Sequence, residues 1–86
     1  MLTRKATIHA AAGLHARPAG ELVKLVKGFA PAGITLSNGL KTINAASMLS
    51  LLSLGLKNGS EVEVCVNGGD EAAILSEICS FISTFE

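Results

Sequence analysis

Eighty-six residues provide for one domain on one core, residues 1–86, and 49% hydrophobic against 16% charged side chains lets the chain bury that core. Seven basic side chains balance seven acidic ones, which argues against the basic footprint of non-specific nucleic-acid binding. No apolar run approaches the roughly 20 residues that span a bilayer, and no charged-then-apolar leader opens the chain. Neither membrane insertion nor export is expected, and the cytoplasm is the expected compartment.

With three Phe and neither Tyr nor Trp, packing must rest on Leu, Ile, Val and Ala. Residues 3–10 alternate loosely and read as a strand. Beyond Gly13, apolar side chains recur at Ala19, Leu22, Val23, Val26 and Phe29, which is helical spacing, with Pro18 in the first turn and Gly28 at the stop. Asn38-Gly39 favours a two-residue turn joining residues 34–37 to 40–43, a register that sets Ile34 opposite Ile43. Residues 47–54 form a short Leu-rich helix capped by Ser47 or Asn44 and closed by Gly55. Its apolar residues occupy nearly every face.

Residues 61–67 alternate cleanly, with Val62, Val64 and Val66 inward and Glu61, Glu63 and Cys65 outward. Gly68-Gly69 breaks that strand and Asp70 can cap a last helix, whose buried stripe is Ile74, Ile78, Phe81, Ile82 and Phe85. The order is βαββαβα. Four half-buried strands predict an α+β open-faced sandwich, a four-stranded antiparallel sheet with three helices on one face.

The zero net charge is unevenly spread. Residues 1–57 carry +6 and residues 58–86 carry −6. Kept on separate surfaces, these sets give a positive side suited to an acidic partner; otherwise both are ordinary solvated faces. Cys65 and Cys79 lack the further ligands a metal site needs, and in a reducing compartment both read as thiol fillers.

The chemistry lies in Gly13-Leu14-His15-Ala16-Arg17-Pro18-Ala19. It sets a histidine where a helix begins, beside outward N–H groups and the positive dipole end that suit a phosphate. Arg17 adds a guanidinium fork, and Gly13 permits a tight turn before the site. The positive helix end suits the incoming anion, and His15 is placed to act as its nucleophile. A histidine alone near a helix start is usually an ordinary surface residue. The combination points to phosphoryl acceptance.

These seven residues resemble the active-site motif of the histidine-containing phosphocarrier (HPr) family of the bacterial phosphoenolpyruvate-dependent sugar phosphotransferase system. Ser47-Met48-Leu49, Leu52-Ser53-Leu54-Gly55 and Lys57-Asn58-Gly59 resemble its second block, and the element order agrees over essentially the whole chain. The resemblance implies a stoichiometric carrier rather than a turnover enzyme, monomeric and without metal or organic cofactor. His15 would accept a phosphoryl group on Nδ1 from phosphorylated enzyme I, held by Arg17 and by backbone N–H groups of Ala16 and Arg17, and pass it to sugar-specific IIA domains. Met48, Leu49 and Leu52 would form an exposed docking patch rimmed by Lys24 and Lys27, with Leu51 and Leu54 in the core. Periodicity alone reads Met48 and Leu49 as core. Ser47 matches a serine modified by a dedicated kinase and phosphorylase, and also reads as a plain helix cap.

The chain departs from the family pattern at Ala46, where lysine is common, at Ser50, often lysine or glycine, and at Ala12, often Asn. Gly20, inside the first helix, should cost roughly 0.5–1 kcal/mol relative to Ala. His9, at the end of the first strand, matches no motif. A nitrogen-regulatory carrier of the same fold remains an alternative. An acylphosphatase-like hydrolase would need an arginine loop after the first strand and a water-positioning Asn, for which Asn44, Asn58 and Asn67 show no context; an RNA-binding module would need stacking aromatics on its central strands, and residues 61–67 have none.

Overall fold

Alternation of valines and charged residues makes the strand at the centre of the molecule. β4 (Glu61–Asn67) buries Val62, Val64 and Val66 completely and turns Glu61 and Glu63 to solvent. In the computed structural model, which describes residues 1–9 and 13–84, β4 pairs antiparallel with β1 (Leu2–Thr7) on one side and β2 (Gly33–Ser37) on the other. A short β3 (Thr42–Asn44) completes the order β1-β4-β2-β3. The first strand therefore begins one residue before the predicted run and ends at Thr7; Ala10, its predicted end, lies outside the described residues.

Register gathers the inward side chains into rows. Val64 lies between Arg4 and Leu36, and Leu36 in turn pairs with Ile43. Against this face pack α1 (Ala16–Lys27), α2 (Met48–Ser53) and α3 (Glu71–Thr84). Their buried residues join the sheet's valines and isoleucines in one cluster: Leu22 and Val26 from α1, Leu51 from α2, Ile74, Ile78 and Ile82 from α3. The other sheet face is open, a row of Thr3, Cys65, Thr35 and Asn44 beside one of Lys5, Glu63, Ser37 and Thr42. This is the predicted open-faced α+β sandwich.

The hairpin differs from the expected one. Ser37 pairs with Thr42 and Leu36 with Ile43, so the loop has four residues and Ile34 does not face Ile43. The cause is Asn38, whose side-chain Oδ1 accepts from the N–H groups of Leu40 (3.0 Å) and Lys41 (2.9 Å). That Asx arrangement, with Gly39 at φ +92°, rounds the chain more broadly than a two-residue turn. The slip is by two residues, so Ile43 still faces the core. Leu40 leaves the strand and is 97% exposed.

Helix ends follow local chemistry. Gly28 closes α1 in right-handed geometry, its N–H directed to the carbonyls of Lys24 and Leu25. Ser47 caps α2, accepting from the Ser50 N–H at 3.4 Å, and Asn44 instead holds the preceding Ala46 N–H. Asp70 accepts from the Ala73 N–H at α3. Phe81 is half-buried in the α3 stripe, and Phe85 lies outside the described residues. Cys79 is buried, which pushes its thiol up against a smaller opposing pull from Arg4, whereas Cys65 is half-buried on the open sheet face.

Candidate functional site

The loop before α1 is built by alternation and one close approach. Leu14 is buried and anchors the loop in the core, while His15 beside it is exposed. The His15 N–H donates to the Gly13 carbonyl at 3.1 Å, a three-residue turn centred on Leu14. The Leu14 N–H donates to the Leu56 carbonyl at 3.0 Å, tying the loop to the segment beyond α2. Gly13 sits at φ +70°, and a Cβ there would lie 2.5 Å from the Leu56 carbonyl oxygen and 2.8 Å from the Lys57 Cα. Only glycine permits both the conformation and the contact.

His15 is the N-cap of α1, in extended geometry, and its side chain makes no capping hydrogen bond. The usual Ser, Thr, Asp or Asn cap would occupy an N–H of the first turn; a histidine with its ring turned outward does not. Pro18 removes a further donor, and the Ala19 N–H takes the His15 carbonyl at 3.0 Å. Two donors remain, the N–H groups of Ala16 and Arg17, which meet no acceptor among the described residues. Both residues are exposed, so these two N–H groups are open to an anion at the start of the helix. Ala12, the expected departure nearest this site, lies outside the described residues.

Cations on the loop side, along α1 and after α2 are unneutralised among the described residues. Arg17, Lys24, Lys27 and Lys57 are exposed, and none forms an ion pair among the described residues. Lys5, by contrast, meets Glu61 across the sheet at 3.6 Å, and the N-terminal ammonium meets Glu71 at 3.0 Å. The two charge sets therefore separate only in part: they mix on the open sheet face and stay apart along α1. Lys24 and Lys27 also fall in the last turn of α1, where cations suit the negative dipole end.

Helix α2 divides its leucines. Leu51 is fully buried and Leu54 nearly so, whereas Leu49 is 83% exposed and Leu52 37% exposed. Met48 is half-buried, its thioether facing Gly20 of α1, where a Cβ would stand 3.7 Å from the sulfur. Leu49 and Leu52 thus form an apolar strip beside α1, with Lys24 and Lys27 on the neighbouring helix. Ser47, half-buried at the start of α2, borders the strip.

Two residues of this neighbourhood are not assigned to the site by sequence reasoning: Leu56, which carries no signal, and Lys57, which enters only through the Lys57-Asn58-Gly59 block. Gly13 was the available signal: a glycine fixed by close approach implies a backbone opposite it, although not which one. Among the described residues no three His, Cys, Asp or Glu side chains gather to hold a metal, and no helix is long and apolar enough to cross a membrane.

Comparison with known proteins gives a consistent result. Residues 2–84 match the family model PTS-HPr, described as the PTS HPr component phosphorylation site. The chain is similar to the phosphocarrier protein HPr of Borreliella burgdorferi, 34% identical over 86 residues that make up 100% of this chain and 99% of that one. It is 36% identical to the phosphocarrier protein HPr of Buchnera aphidicola, over 100% of both chains. A crystal structure of a phosphocarrier protein HPr from Bacillus anthracis superposes with a TM-score of 0.89 at 27% identity, covering 95% of this chain and 96% of that one.

Proposed function

Because the chain belongs to the HPr phosphocarrier family of the phosphotransferase system, we propose that His15 takes a phosphoryl group from phosphorylated enzyme I and passes it to the IIA components of sugar permeases. The imidazole Nδ1 attacks phosphorus, an N–P bond forms, and the bond to the donor breaks with its electron pair leaving on the donor. Delivery to IIA reverses the roles. One observation carries this reading: His15 is exposed at the N-cap of α1 with its ring unused for capping and two backbone donors beside it.

Each part of the surroundings has a task in that exchange. The N–H groups of Ala16 and Arg17 hold the phosphoryl oxygens, and the Arg17 guanidinium adds charge-assisted bonds. Leu49, Leu52 and Met48 supply an adaptable apolar contact for several partners, and Lys24 and Lys27 steer acidic rims toward it. Such a carrier works in the cytoplasm, as a monomer. Incubation with enzyme I and labelled phosphoenolpyruvate tests the reading. An acid-labile, base-stable phosphate that disappears in His15→Ala supports it, and unlabelled parent protein refutes it.

Ser47 adds a regulatory layer to this proposal. A phosphate on its hydroxyl would suit the start of α2 yet bring about −2 charge to the edge of the docking strip. Ser47→Asp is expected to slow phosphoryl acceptance from enzyme I roughly 5–10-fold, the size of a rim-charge effect. Acceptance at the parent rate would remove the regulatory role.

A further inference from the structure

We propose that Lys57 is a second cationic ligand of the phosphoryl group on His15, a role that rests on the carrier reading above. The backbone sets it there. A Cβ on Gly13 would stand 2.8 Å from the Lys57 Cα, so the two main chains are in contact two residues before the acceptor histidine. The His15 Cα is no more than about 7 Å farther along the loop, and an extended lysine carries its ammonium about 6 Å from its own Cα. The lysine side chain therefore spans a length comparable to the gap between the Lys57 backbone and the acceptor histidine.

That position is held rigidly from both sides. The Lys57 N–H donates to Ser60 Oγ at 2.9 Å, and the Ser60 N–H returns to the Lys57 carbonyl at 2.9 Å. The preceding Leu56 carbonyl takes the Leu14 N–H at 3.0 Å. The side chain, unlike the backbone, is uncommitted: Lys57 is exposed and its ammonium has no ion pair or hydrogen bond among the described residues. Lys41 makes the contrast, its ammonium donating to Ser53 Oγ at 2.8 Å.

No carboxylate competes for it in the loop. Residues 10–19 contain no acidic side chain, and the nearest acid along α1 is Glu21, one turn beyond Arg17. An added dianionic phosphoryl group would be the strongest negative charge within reach. Arg17 approaches from the helix and Lys57 from the segment after α2, so the group is held between cations on two separate elements. Arg17 supplies directed, two-point bonding, whereas Lys57 supplies a mobile point charge that can follow the group as it leaves.

Chemical loading separates this role from docking. Phosphoramidate, a small reagent that phosphorylates histidine without a protein partner, is used to load the parent, Lys57→Gln, Lys57→Arg and Lys41→Gln, with His15→Ala identifying the resonance. The 31P shift is then followed against pH. Lys57→Gln is expected to raise the phosphoryl titration midpoint by about 0.5–1 unit, as loss of a nearby cation should, while Lys57→Arg and Lys41→Gln follow the parent. A parent-like titration in Lys57→Gln overturns the assignment, even if that variant exchanges phosphate with enzyme I more slowly. A shift in Lys57→Gln alone, in a protein that enzyme I does not phosphorylate, upholds the cation's position and overturns the carrier reading instead.

Discussion

Replacing Gly13 by Ala should damage the protein far more than the same change at Gly55, and the difference measures how tightly the acceptor loop is seated. The two glycines share a left-handed backbone, φ +70° at Gly13 and +63° at Gly55. Each substitution therefore costs about 1–2 kcal/mol of conformational strain, offset by roughly 0.4–1 kcal/mol of lost freedom in the unfolded chain. Only the surroundings differ. A Cβ at Gly55 meets nothing within 4 Å, whereas at Gly13 it lies 2.5 Å from the Leu56 oxygen and 2.8 Å from the Lys57 Cα. Both are backbone atoms that cannot swing aside. Relieving the clash separates the loop from residues 56–57, breaking the Leu14–Leu56 hydrogen bond at about 1 kcal/mol and adding overpacking of about 1–3 kcal/mol. Gly13→Ala should thus lose about 2–4 kcal/mol more than Gly55→Ala. For a chain of this size that is a further drop of at least about 8 °C in Tm, read by thermal unfolding followed by circular dichroism. Phosphoryl acceptance at His15 should fall in parallel, because the loop that presents the ring has moved. If the two variants melt within about 3 °C of each other, the close approach does not constrain the loop and the reasoning fails.

Three further outcomes follow from the packing and the charges of this fold. Gly20→Ala should stabilise the protein by about 0.5–1 kcal/mol, since Gly20 is mid-helix and its new Cβ would meet Met48 at an ordinary 3.7 Å; a lower Tm would show that α1 and α2 pack too closely there. Leu51→Ala should cost about 2–5 kcal/mol in chemical denaturation, whereas Leu49→Ala should leave stability within about 0.5 kcal/mol and weaken binding to enzyme I in calorimetric titration. Equal stability losses at the two positions would contradict the division of α2. The Glu71 carboxyl is held below the usual carboxylate range first by the Gly68 N–H, 2.8 Å from Oε2, and then by the N-terminal ammonium at 3.0 Å from Oε1. Its contribution is therefore complete above the unfolded carboxyl's pKa, near about 4, and is lost as pH falls through the lower folded value. Glu71→Gln should be less stable than the parent at neutral pH and converge on it in acid; Tm curves that stay parallel from neutral pH to about pH 2 would refute this.

Local chemistry made much of the molecule readable in advance. Alternation in residues 61–67 marks a half-buried strand because side chains there have a period of two, and Ser47 marks a helix start because its hydroxyl can take an orphan N–H. The motif from Gly13 to Ala19 likewise announces a histidine beside a helix start, since glycine permits the turn before it and proline fixes φ in the first helical turn after it. The hairpin shows where such reading stops. Asn38-Gly39 is compatible with a tight turn and with an Asx loop, and the choice depends on side-chain hydrogen bonds that composition does not rank. Leu40 and Ile43, adjacent in pattern, end on opposite sides of that decision, one 97% exposed and the other buried.

What residue order alone determined was which residues are apolar, where helices and strands begin, and that one histidine stands at a helix tip. Tertiary structure decided the order β1-β4-β2-β3, the outward placement of Leu49 against the burial of Leu51, and the seating of Gly13 on Leu56 and Lys57. Periodicity reports only the contacts of near neighbours along the chain, and in a helix as apolar as α2 it cannot say which side meets the core. The meeting of residue 13 with residue 57 depends instead on how α1 and α2 pack over the sheet, a result of burying the whole core at once.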